Sequence, residues 1–153
     1  MSIVLATVDP GKQGLAWAIF VDELLVEVGM LENIIFENAY RVLTAVFTRV
    51  KPNIAVIEIP QVYQQRLQKG DPNDLIDVAV VAGMVAGTLV PWVHGPVQLI
   101  RPRVWKGNRP KAVDNRHTLS VLSAEEKTKI PSGAKRHNVL DAVGIGLWKL
   151  GRR

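Results

Sequence analysis

Three apolar segments crowd into the first 31 residues, separated only by Pro10-Gly11 and Asp22-Glu23, and this restricts the fold more than any other feature of the chain. Residues 3–9 are rich in β-branched side chains and read as a buried strand; residues 14–20 and 24–31 read as a second and a third. Connections this short fit hairpins, so the three form an antiparallel meander.

The pattern then changes period. Residues 38–50 place Ala39, Val42, Leu43, Val46, Phe47 and Val50 on one helical face, with Asn38 as the expected N-cap and Lys51-Pro52 as the stop. Residues 54–59 are a solid apolar run suited to a sheet centre. A polar, Gln-rich loop over 60–72 carries Tyr63, and residues 73–90 read as a helix ending before Pro91. Residues 97–100 form a fifth strand and 101–111 a basic loop. Asp114 is expected to cap a helix reaching Leu122, and residues 135–150 form a last helix ended by Gly151. The order βββαβαβαα predicts an α/β fold, a mixed five-stranded sheet flanked by helices on both faces. At 153 residues, without repeat or linker, one domain over 1–153 is expected.

Hydrophobic content of 48% and charged content of 22% suit a soluble globular protein and argue against disorder. No uninterrupted apolar run reaches bilayer-spanning length, so no membrane partner and a cytoplasmic location are expected. The absence of cysteine excludes disulfides and thiolate zinc sites. Charge is polarised: residues 1–96 hold 6 Lys/Arg against 10 Asp/Glu, a net of −4, and residues 97–153 hold 13 against 4, a net of +9. A basic half of this size points to a polyanion, nucleic acid foremost.

Acidic residues stand where apolar elements end. Asp9 closes the first strand in Thr-Val-Asp-Pro-Gly, and Glu58 closes the fourth in Ile-Ala-Val-Ile-Glu-Ile-Pro. Desolvating a carboxylate there is costly unless a cation, a basic partner or a proton neutralises it. His137 and Asp141 lie i,i+4 on one face of the last helix, a metal half-site in form. Each has a plainer reading. Asp-Pro-Gly is a common turn, Glu58 suits a strand-end salt bridge, and His137 with Asp141 suits an intrahelical hydrogen bond. The combination, one residue from each of several element ends, is what suggests a metal site acting on phosphate.

These segments resemble the RuvC-type Holliday junction resolvases of the RNase H-like nuclease superfamily, most closely the small phage versions. The matching stretches are Ala6-Thr7-Val8-Asp9-Pro10-Gly11 with Gly14, Ala55-Val56-Ile57-Glu58-Ile59-Pro60-Gln61, Val104-Trp105-Lys106-Gly107, and the last helix from His137 to Gly146. The resemblance implies an RNase H-like fold and a homodimer that resolves four-way DNA junctions by paired metal-dependent nicks. Asp9, Glu58 and Asp141 would take the catalytic, metal-binding carboxylate positions. The family usually carries Asp or His three residues before the final Asp; here that residue is Asn138, with His137 one place earlier. His137 is therefore expected as the fourth ligand or base. Two Mg²⁺ ions, roughly 4 Å apart in such sites and replaceable by Mn²⁺, would activate water and stabilise the leaving oxygen.

Arg101, Arg103, Lys106, Arg109, Lys111 and Arg116 are expected to neutralise DNA phosphates, and Tyr63 to stack on an unpaired base. Arg152 and Arg153 read as a frayed basic tail. Ala79, Gly83 and Gly87 recur every four residues, which implies close approach by another backbone, either the sheet beneath or the same helix of a second copy. Two other functions fit parts of the pattern. A broader fork or flap endonuclease would use the same residues, and a non-catalytic DNA-binding protein could use the same scaffold. Asp-Pro-Gly-Lys-Gln-Gly also resembles the first phosphate loop of actin-like ATPases, but those need a second lobe for which 153 residues leave little room.

Overall fold

The two N-terminal turns close into hairpins as their lengths require. In the computed structural model, which describes residues 1–34, 36–64 and 70–153, β1 (Val4–Pro10), β2 (Gly14–Val21) and β3 (Leu24–Glu32) pair antiparallel in chain order. Asp22 and Glu23 have φ of 47° and 72°, the left-handed twist that a two-residue hairpin needs. Gly29 lies opposite Trp17 on the β2–β3 ladder, where a Cβ would sit 2.0 Å from the indole. Only a glycine leaves Trp17 room to lie over the neighbouring strand.

The alternating half extends the sheet on the other side of β1. α1 (Phe36–Val50) leads to β4 (Ile54–Glu58), and α2 (Pro72–Leu89) leads to β5 (Val97–Ile100). Both strands add parallel, giving the order β3-β2-β1-β4-β5. β1 is thus central, and Val8 in register with Ile57 sets the ends of β1 and β4 side by side. The chain continues through α3 (Pro102–Trp105), α4 (Lys111–Val121), α5 (Ala124–Lys127), a 3-10 turn (Gly133–Lys135) and α6 (Arg136–Lys149).

Strand alternation divides the apolar residues between two cores. On one face Ala6, Val8, Ala55 and Ile57 pack with Leu43 and Phe47 of α1 and with Val81 and Val85 of α2. On the other, Leu5, Ala18, Phe20 and Val56 pack with Val139, Val143 and Leu147 of α6. Gly146 makes that second packing possible, since a Cβ there would fall 2.1 Å from the Phe20 ring.

Several local expectations change. Asn38 lies inside α1 and does not cap it. α2 starts one residue earlier than expected, capped by Asp71, which accepts the Asn73 amide at 2.9 Å. The basic stretch 101–111 is not all loop, because Pro102 starts α3. Asp114 does not cap α4, which begins at Lys111 after Pro110; it is buried in the first turn against Arg153. The Ser123–Glu126 capping box nucleates α5, a helix not anticipated despite its visible S-x-x-E signature. Residues 65–69 of the Gln-rich loop lie outside the described residues.

The 18 residues of α2, with mean hydropathy 1.3, are long and apolar enough to cross a membrane by length and composition, contrary to expectation. Val81, Ala82, Val85 and Leu89 are nonetheless buried against the sheet, as in a core helix. Its other face exposes Ile76, Ala79, Val80, Gly83 and Gly87. A Cβ at Gly83 or Gly87 would meet nothing within 4 Å, so the small-residue stripe does not serve contact with the sheet.

Candidate active site

Thr7 sets the site. Its buried hydroxyl, two residues before Asp9 on β1, donates to the carbonyl of Ala142 at 2.7 Å. That bond ties the centre of the sheet to α6 one residue beyond Asp141. Alternation puts Asp9 on the same face as Thr7, and Glu58 on the same face as Val56, which is the face α6 covers. Carboxylates from β1, β4 and α6 therefore meet at one end of the two central strands.

Their electrostatics confirm the grouping. Burial first, then the charges of Glu58 and Asp141, push the Asp9 carboxyl well above the ordinary carboxylate range, against the pull of Lys106 and Lys111. Glu58 is raised as well, chiefly by burial, while Lys106 and the Trp105 indole hold it down. Asp9 accepts no hydrogen bond from its own turn among the described residues; there the Gly11 amide donates to the Gly14 carbonyl at 2.7 Å. The plain-turn reading of Asp9 does not account for that.

Each of the other two acids leans on a neighbour. Trp105 Nε1–H donates to Glu58 Oε2 at 2.5 Å, and Lys111 Nζ stands 3.1 Å from Asp141 Oδ2. The strand-end salt bridge suggested for Glu58 is thus replaced by an indole. Asp141 Oδ1 is buried without a hydrogen-bond partner among the described residues. Among the described residues no three His, Asp or Glu side chains converge tightly enough to form a finished metal cage. The donor set still suits a hard divalent cation: all are carboxylate oxygens, one is buried and unsatisfied, and burial beside two other acids raises the Asp9 carboxyl, which a cation would reverse.

Asp9 opens on a cleft of about 600 Å³ with Gly11, Gln13, Glu32, Asn33 and Asn138 on its walls. His137 is not among them. Its Nδ1 lies 3.0 Å from Asn115 Nδ2, and it lines a different groove, with Arg116 and Arg136, beside α4. Residues 137 and 138, at i−4 and i−3, both adjoin Asp141 but point about 100° apart around the helix, and the His137 ring lies against Asn115 on the flank away from the cleft. Glu58 and Asp141 lie close enough to Asp9 to raise its carboxyl, Asn138 shares the Asp9 cleft, and His137, expected as the fourth ligand, lies in the other groove.

The cationic residues divide rather than forming one patch. Lys106 and Lys111 face the carboxylates, and Arg109 Nη1 lies 3.9 Å from Asp114 Oδ1. Arg101 and Arg103 are exposed at the start of α3. Arg116 lines a groove of about 410 Å³ with Lys127 and Arg136, and none of these three has an acidic partner among the described residues. Tyr63 lines an apolar hollow against α2 with Pro60, Val62, Leu75 and Ile76, and no carboxylate shares that hollow.

Sequence reasoning named Asn138 only as the occupant of the family's register position, and it missed the roles of Thr7, Trp105, Lys127 and Arg136. Only Trp105 carried a usable signal, because a buried indole N–H requires an acceptor and a strand-end glutamate was already in search of a donor. Arg152 and Arg153 are not frayed. Arg152 pairs with Glu126 at 2.7 Å, and the Arg153 side chain is 1% exposed against Asp114.

No protein-family model matches the sequence, and no curated protein matches it significantly. Solved structures do match. The Thermus thermophilus RuvC structure aligns over 98% of this chain and 98% of its own, with a TM-score of 0.66 and 16% identity. T. thermophilus RuvC in complex with a Holliday junction substrate aligns over 95% and 91%, with a TM-score of 0.61 and 14% identity. The yeast mitochondrial Holliday junction resolvase Ydc2 aligns over 97% and 81%, with a TM-score of 0.51 and 12% identity. The expected five-stranded α/β architecture is therefore present, and the chain has the RuvC-type resolvase fold, an RNase H-like mixed sheet flanked by helices.

Proposed function

We propose that this chain is a divalent-metal-dependent DNA endonuclease that resolves four-way junctions by paired nicks. The observation that carries the reading is the meeting of Asp9, Glu58 and Asp141 at one end of the central strands, on a fold shared with junction resolvases. Asp9, Glu58 and Asp141 would hold Mg²⁺, with Mn²⁺ able to substitute, and the metal would supply water activation and charge neutralisation at the scissile phosphate. Lys106 and Lys111 would meet the phosphate's negative charge as the metal takes over their carboxylate partners. Asn138, on the wall of the Asp9 cleft, would hydrogen-bond water or a phosphate oxygen there.

Arg101, Arg103, Arg109 and Arg116, joined by Lys127 and Arg136, would follow the DNA backbone away from the cut, making affinity fall steeply with salt. Tyr63 would stack on an exposed base only if its hollow against α2 opened. The unpartnered face of α2, with Ile76, Val80, Gly83 and Gly87, would pair with its copy in a homodimer and so place two sites for two strands.

The test is cleavage of a labelled four-way junction, a fork, a flap and linear duplex, with Mg²⁺, Mn²⁺ or EDTA, by the wild type and by Asp9→Asn. Symmetric paired nicks that require both metal and Asp9 are expected. Cutting that survives Asp9→Asn refutes the site. Equal cutting of forks and flaps refutes junction selectivity and leaves a general branched-DNA nuclease.

A further inference from the structure

We propose that Arg153 is a positioning residue for the acidic site, acting through Trp105 and α4. The inference rests on the nuclease reading only for its consequence in cleavage. The Arg153 guanidinium lies over the Trp105 ring, 5.0 Å from its centroid, and the Lys106 ammonium sits at the same distance from that ring. The single N–H of the indole goes to Glu58. Arg153 therefore bears on the side chain that orients one carboxylate.

The same guanidinium holds a second. It pairs with Asp114 and donates to the Thr118 hydroxyl at 3.3 Å, both on α4. Asp114 lies one turn after Lys111, whose ammonium takes Asp141. One buried cation thus fixes α3, which presents Trp105 to Glu58, and α4, which presents Lys111 to Asp141.

Gly144 on α6 makes the slot. A Cβ there would fall 2.5 Å from Arg153 Nη1 and 2.7 Å from the Trp105 ring. Space filling alone does not call for arginine, since a buried guanidinium is costly and an apolar side chain of similar volume generally packs as well. Burial indeed lowers the Arg153 pKa to about 10. What arginine adds is a planar set of donors that can engage α4 while a flat cation covers the indole, which sets orientation as well as volume.

The test compares Arg153→Met, Arg153→Lys, Trp105→Phe and, as control, Arg152→Ala, which loses a neighbouring ion pair outside the site. The first readout is the indole N–H spectrum, with the Trp105 signal assigned through Trp105→Phe. Arg153→Met is expected to move that signal and Arg152→Ala to leave it in place. The second is Mn²⁺ affinity by calorimetry without DNA. Arg153→Met should weaken it about 10-fold or more, as loss of groups that orient metal ligands does, with Arg153→Lys restoring part of the loss. Trp105→Phe should weaken it similarly, and the double variant should lose little more. An unmoved Trp105 signal in Arg153→Met, or Mn²⁺ losses in the two single variants that simply add, overturns the proposal. If the wild type binds Mn²⁺ yet cuts no branched DNA, the nuclease reading fails while these comparisons still decide the role of Arg153.

Discussion

Replacing Glu126 by glutamine should cost this protein about 3 kcal/mol at neutral pH, and that loss should fade in acid. Glu126 is 2% exposed, and both its oxygens are fully engaged. Oε1 accepts the Leu25 amide at 2.8 Å and Arg152 Nη1 at 2.7 Å; Oε2 accepts the Ser123 amide at 2.8 Å and Arg152 Nη2 at 2.9 Å. The Arg152 hydrogen bonds are the main reason that the carboxyl falls from 4.5 to about 2. At about 1.36 kcal/mol per tenfold change in proton affinity, that depression is worth about 3 kcal/mol. Because the folded value lies below the unfolded one, the contribution is complete above pH of about 4.5 and is lost as pH falls through about 2. Removing one partner of a buried pair costs about 3–5 kcal/mol, and Arg152, a fifth exposed, belongs at the lower end. Urea unfolding followed by tryptophan fluorescence, at pH values from 7 down to 2.5, measures the gap between wild type and Glu126→Gln. A gap below about 1 kcal/mol at pH 7, or one that stays constant into acid, refutes the reasoning.

Three further outcomes are expected. Gly146→Ala should destabilise the fold by about 1–3 kcal/mol, read as a lower urea midpoint, because its Cβ would meet the buried Phe20 ring; an unchanged midpoint would show that α6 can move away. Gly83→Leu should stabilise α2 by about 0.5–1 kcal/mol, since a Cβ there meets nothing within 4 Å among the described residues, yet dissociate the proposed homodimer in sedimentation. A variant that stays dimeric would place the dimer face elsewhere. Mn²⁺ binding should tighten as pH rises, and release a proton wherever the raised Asp9 carboxyl is still titrating, because only its charged form binds metal. Calorimetry in buffers of different ionisation enthalpy, repeated across acidic to neutral pH, reads that proton, and an affinity independent of pH over that range would mean that Asp9 is not a ligand.

Much of the site was legible one strand at a time. The alternation of Leu5, Thr7 and Asp9 against Ala6 and Val8 already assigns Asp9 to a face, and the apolar run before Glu58 does the same on β4. That a later helix must bring a third acid was readable from Asp141 and its apolar neighbours. Which flank of that helix reaches the cleft was not, because i−3 and i−4 positions both adjoin Asp141. Asn115, 22 residues away, turned His137 outward and left Asn138 on the cleft wall.

Arg152 and Arg153 show the same boundary from the other side. Two arginines after a glycine look solvated in any window of the sequence. Their partners stand 26 and 39 residues earlier, at Glu126 and Asp114. The sequence by itself determined the order of the five strands and the four longer helices and the face each strand residue occupies, because backbone geometry imposes those periods within a few residues. Only the tertiary structure decided that Asn138 faces the carboxylates, that Trp105 answers Glu58, and that a cationic tail is a buried clamp. Those choices depend on which distant group can repay the desolvation of a charge, and chain folding alone brings such groups together.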